Sequence, residues 1–108
     1  DAYNANPTSM SAALTALAAL PARRKVAVLG EMAGLGADAE ALHHEMGAQA
    51  RRLGIEVVAV STGAYGVDGV QPADAAAALT SLGEGEAALV KGSRVAGLEQ
   101  IVSRVLAG

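Results

Sequence analysis

The sequence predicts a layered α/β fold built on a mainly parallel sheet. Three observations carry that expectation. Short apolar runs alternate with amphipathic helical patterns along all 108 residues. Each run is almost continuously apolar, as in strands covered on both faces. The connections are short, and no repeat, low-complexity tract or internal linker interrupts them.

The elements follow in order. Residues 7–20 place Met10, Ala13, Leu14, Leu17 and Leu20 on one helical stripe. Asn6 and Pro7 suit the N-cap and first helical positions, and Pro21 stops the helix. Residues 26–29, Val-Ala-Val-Leu, read as a buried strand that breaks at Gly30. A second helix over 39–53 turns Leu42, Met46, Ala50 and Leu53 inward and ends at Gly54. Residues 55–60 form the next strand, and 61–69 a glycine-punctuated loop leading to a short strand near Val70. A third helix over 72–82 buries Ala75, Ala76, Leu79 and Leu82. Residues 87–90 make a strand ending at Lys91-Gly92. The final stripe, Leu98, Ile101, Val102, Val105 and Leu106, marks a last helix. Asp1 to Asn6 reads as a strand-to-helix loop without its strand, so the sheet is expected to lack its N-terminal strand and the chain to be a fragment.

Composition narrows the function classes. The core must be aliphatic, because Phe and Trp are absent and only two tyrosines are present. A formal charge of -3 argues against a nucleic-acid footprint, which needs a clustered basic face. Without cysteine there is no disulfide and no thiolate metal site. No apolar run reaches the roughly 18 residues needed to span a bilayer. A soluble, intracellular protein is the default expectation.

In parallel sheets ligands sit beyond the carboxyl ends of the strands. Three segments should gather there: Gly30 onward, residues 61–66, and residues 91–94. The run Asp1-Ala2-Tyr3-Asn4-Ala5-Asn6-Pro7 leads polar groups into a helix N-terminus, where free N–H groups and the dipole favour anions and Asp1 could accept sugar hydroxyls. A plain capped loop would also explain Asn6 and Pro7. Gly30-Glu31-Met32-Ala33-Gly34-Leu35-Gly36 matches neither a Walker loop nor a dinucleotide fingerprint; two of its glycines suit a tight turn. His43 and His44 point about 100° apart on a helix and cannot chelate one ion as a pair. A partly buried structural role suits His43, with His44 more exposed, and no metal site is expected. Lys91-Gly92-Ser93-Arg94 suits a carboxylate or phosphate and equally a solvated loop with Arg94 in the first helical turn.

Taken together, Tyr3-Asn4-Ala5-Asn6-Pro7, the Val28 to Gly36 segment, His43 four residues before Gly47, and Leu89-Val90-Lys91-Gly92-Ser93-Arg94 resemble the C-terminal domain of the Mur ligases, in the MurF branch. The resemblance spans nearly the whole chain, 1–108. It implies a three-layer Rossmann-like cap on a three-domain enzyme that uses ATP and Mg2+ to join D-alanyl-D-alanine to UDP-N-acetylmuramoyl-tripeptide. The cap would close on a central P-loop ATPase domain, which would hold the metal. By position, Asp1, Tyr3, Asn4, Asn6 and Pro7 would line the nucleotide, with Asp1 at the ribose. Lys91, Gly92, Ser93 and Arg94 would approach the incoming dipeptide. Glu31 and His43 match recurrent positions that would support the site without a role of their own being readable. The 61–72 segment is shorter than is usual in the family. With no P-loop, the 108 residues alone are expected to be inactive. The alternatives are another amide ligase of the folylpolyglutamate or cyanophycin type and a non-catalytic nucleotide-binding module.

Overall fold

The computed structural model describes residues 6–92. The expectations for Asp1, Tyr3, Asn4, Ser93, Arg94 and the final helix lie outside those residues.

Helix α1 spans Pro7–Ala19 and begins as its sequence demands. Asn6 accepts the Ser9 N–H at 2.9 Å, and Ser9 Oγ accepts the Asn6 N–H at 3.1 Å. This reciprocal pair satisfies two donors that a helix start leaves orphaned. Pro7 gives up no useful N–H at this position. Met10, Leu14 and Leu17 are buried along one stripe. Leu20 corrects the sequence reading: it sits in extended backbone past the helix end and is 48% exposed. The stripe stops with the helix.

Strand β1 (Arg24–Leu29) leads through a loop and one 3-10 turn into α2 (Ala39–Arg52). Gly34 and Gly36 take positive φ in that loop, as the tight turn requires. Strands β2 (Glu56–Val60) and β3 (Gly69–Val70) follow, then α3 (Pro72–Thr80) and β4 (Glu86–Lys91). The sheet order is β3-β2-β1-β4, and every pair is parallel. The predicted α/β fold with its parallel sheet is therefore present.

The pleat sorts the side chains into two cores. Ala27 and Leu29 face α1 and α2, joining Met10, Leu14, Leu17, Met46 and Ala50. Val26 and Val28 face the other way, onto Ala75, Ala76 and Leu79 of α3. Helices thus cover both faces, which explains why β1 carries no polar residue between Val26 and Leu29. Leu42, Leu53 and Leu82, expected inward, are only half-buried.

Charge is used at the amino ends of the strands. Arg24 pairs with Glu56 at 2.7 Å, and Arg23 with Glu86 at 2.9 Å. Arg24 also approaches Glu86 at 3.6 Å. These pairs tie β1, β2 and β4 together at the rim opposite the carboxyl ends.

Candidate functional site

The strand order decides where a ligand can enter. From β1 the chain moves outward to β2 and β3, then returns across the sheet to β4 on the far side of β1. The order therefore reverses between β1 and β4, and such a switch point opens a crevice at the carboxyl ends. There the Gly30 N–H donates to the Lys91 carbonyl at 2.9 Å, closing the ladder. Lys91 is the last residue of β4, only 9% exposed, on the same face as its register partner Leu29. Gly92 beside it is also buried.

The segment after β1 is held at two points. Tyr65, completely buried, donates its hydroxyl to the Gly30 carbonyl at 2.6 Å. His43 on α2, 2% exposed, accepts the Met32 N–H on Nε2 at 2.8 Å. Because Nε2 accepts, the ring proton sits on Nδ1 and is directed at the Ala39 carbonyl one helical turn back. The two rings meet edge to face, centroids 5.1 Å apart. Glu31 lies between the pinned residues and is itself exposed. Burial, and secondarily the Glu31 charge, pushes the Tyr65 phenol well above its ordinary range.

Helix α2 admits the Tyr65 segment because residue 47 is glycine. A Cβ there would lie 2.0 Å from the Tyr65 carbonyl oxygen. Arg51 Nη1 donates to that same oxygen at 3.1 Å. At the start of the loop Ser61 holds a φ of 60°, in the left-handed region a non-glycine residue seldom enters.

Glu31, Ala39, Glu40, His43 and the Thr62 to Ala64 stretch line a cleft of about 350 Å³. It adjoins a wider one of about 570 Å³ along Glu40, His44 and Ala64. The start of α1 borders a third space, where Pro7 and Thr8 lie near Leu42 and Glu45 of the first half of α2. Helix α1 thus begins on the side where α2 begins, the carboxyl rim.

The sequence-predicted residues among 6–92 separate as follows. Glu31 and His43 come together at one cleft, with His43 more deeply buried than its sequence suggested. Lys91 and Gly92 stand at the neighbouring strand end. Pro7 starts α1 nearby, and Asn6 spends its side-chain oxygen on the helix itself. Tyr65 is the residue that sequence reasoning missed. Its one signal is being an aromatic residue inside a polar, glycine-rich loop. Among the described residues no group of three or more His, Asp or Glu could hold a metal ion.

Comparison with known proteins adds to this geometry. The family described as "Mur ligase, glutamate ligase domain" matches residues 1–108. The UDP-N-acetylmuramoyl-tripeptide–D-alanyl-D-alanine ligase of Escherichia coli (strain K12) is 44% identical over 116 residues, covering 94% of this chain and 25% of that protein. The ligase of the same name from Mycobacterium tuberculosis (strain ATCC 25618 / H37Rv) is 39% identical over 142 residues, covering 99% of this chain and 28% of its own. Among solved structures, a MurF from Acinetobacter baumannii superposes with a TM-score of 0.79 at 29% identity, over 100% of this chain and 27% of that one. The MurF ligase of Thermotoga maritima in complex with ADP gives 0.75 at 28% identity, over 97% and 26%. The chain spans about a quarter of the length of these relatives. Fold, motif order and matched length agree: the chain belongs to the Mur ligase, glutamate ligase domain family.

Proposed function

We propose that this chain is the C-terminal cap domain of a three-domain, ATP-dependent ligase that joins D-alanyl-D-alanine to UDP-N-acetylmuramoyl-tripeptide in peptidoglycan precursor synthesis. The observation that carries it is the 44% identity to a ligase of that name across 94% of the chain. The rim geometry supports the same reading. Two segments singled out for ligands, at Gly30 and Lys91, end adjacent strands at the switch point, and α1 starts on that side.

The residues Asp1, Tyr3 and Asn4 serve the nucleotide, with Asp1 for the ribose. Asn6 and Pro7 act by fixing the helix start rather than by lending the Asn6 oxygen. Lys91, Gly92, Ser93 and Arg94 form the dipeptide side, Arg94 taking the terminal carboxylate. That a solved relative is in complex with ADP supports a nucleotide for the parent enzyme. Magnesium belongs to a central P-loop domain of the parent protein. Bound there, ATP supplies the phosphoryl group that activates the tripeptide carboxylate. This cap excludes water from the resulting acyl phosphate and orients the amine. The parent enzyme works in the cytoplasm as a monomer, without nucleic acid. Among the described residues no helix is long and apolar enough to cross a membrane.

An acceptor assay on the full-length protein tests the reading. With ATP, Mg2+ and UDP-N-acetylmuramoyl-tripeptide, phosphate release should depend on D-alanyl-D-alanine and not on single amino acids. Preference for another amine would move the chain to a sister ligase. Amine-independent binding of nucleotide without turnover would make it a binding module.

A further inference from the structure

Most of the described core is aliphatic, yet two ring side chains with polar atoms are buried in it side by side. Tyr65 is fully buried and His43 is 2% exposed. Each hydrogen-bonds the backbone beside Glu31: Tyr65 donates to the Gly30 carbonyl, and His43 Nε2 accepts from the Met32 N–H. The supports come from different elements, the loop after β2 and helix α2. A loop that only needed to turn could leave these backbone groups to water. Here the segment is fixed before and after one residue, and that residue is an exposed carboxylate lining a cleft. The charged groups lining the cleft are Glu31 and Glu40, so it favours a cation over an anion.

We propose that His43 and Tyr65 are positioning residues that hold the Gly30–Met32 turn so that the Glu31 carboxylate receives the ammonium group of the incoming amine. This deepens the ligase reading and rests on it. Two-point support fixes the carboxylate's direction, which a charge-assisted hydrogen bond needs and an unsupported glycine-rich loop would not give.

The test is steady-state kinetics of the full-length protein, varying amine and ATP separately. Glu31→Gln should raise the amine KM about tenfold, the effect of one lost charge-assisted bond, with the ATP KM within about twofold of wild type. Tyr65→Phe should raise the amine KM about threefold, and the double variant should resemble Glu31→Gln alone, because both changes act through one group. Glu31→Asp should recover part of the loss. An unchanged amine KM in Glu31→Gln overturns the proposal, as does a Tyr65→Phe defect that adds fully to that of Glu31→Gln. Wild type that turns over with a different amine keeps the proposal with that amine as ligand. Wild type that turns over ATP with no amine defeats both the proposal and the ligase reading.

Discussion

The Tyr65 hydroxyl and the Gly30 carbonyl, 35 residues apart in sequence, meet at 2.6 Å inside the core. This bond joins the loop after β2 to the end of β1, and so one wall of the cleft to the sheet. Tyr65→Phe keeps the ring and leaves a buried carbonyl without its donor. The expected cost is about 1–3 kcal/mol, read from denaturant unfolding. Burial, followed by the Glu31 charge, raises the phenol in the folded state. Its contribution therefore holds below the ordinary tyrosine range and is lost as pH rises through and beyond about 10. The stability gap between wild type and Tyr65→Phe should narrow in alkali, and a gap constant with pH would refute the linkage.

Gly47→Ala should act against its helix propensity. In an open helix this change gains about 1 kcal/mol. Here the added carbon would stand 2.0 Å from the Tyr65 carbonyl oxygen and 2.9 Å from its carbon, both backbone atoms. Overpacking of that kind should cost about 2–3 kcal/mol. A variant as stable as wild type would show that the Tyr65 loop does not pack on α2 as described.

At the amino rim the prediction concerns acid. The Gly83 N–H, bonded at 2.7 Å, is the main cause holding the Glu86 carboxyl below the ordinary range, and Arg23 and Arg24 add to it. A depressed folded value means that the contribution is complete at neutral pH and fades as pH falls. Glu86→Gln should be less stable than wild type at neutral pH and converge with it below about pH 4. Added salt should close only part of the gap, since it screens the arginines more than the Gly83 bond. Thermal melts across pH and ionic strength measure both effects.

Two leucines three residues apart separate helix from stripe. Leu17 is 5% exposed and packs with Met10 and Leu14, whereas Leu20 is 48% exposed. Leu17→Ala should cost about 2–5 kcal/mol. Leu20→Ala should stay within about 0.5 kcal/mol of wild type. Equal losses at both positions would mean that the helix and its buried stripe continue past Ala19.

Much of this protein was legible because local chemistry writes it. Asn6, Pro7 and Pro21 bound one helix, and the continuous apolar run through Leu29 marks a strand covered on both faces. The resemblance of the terminal motifs to the Mur ligases rests on residues quoted directly from the chain, and the family match bears it out. His43 was read as partly buried, and the structure buries it at 2% exposure.

What only tertiary structure decided are pairings between residues remote in sequence. Tyr65 lies in a polar loop with no periodicity to report its burial, and Gly47 takes its meaning from a carbonyl eighteen positions later in the sequence. The position of Glu31 between two buried supports, and the joining of Glu86 to Arg23 and Arg24, depend on which strands became neighbours. The reason is physical. Hydrophobic period and backbone propensity act over a few residues and are recorded in order along the chain. Directional hydrogen bonds and close approaches depend on a strand order that no local pattern specifies.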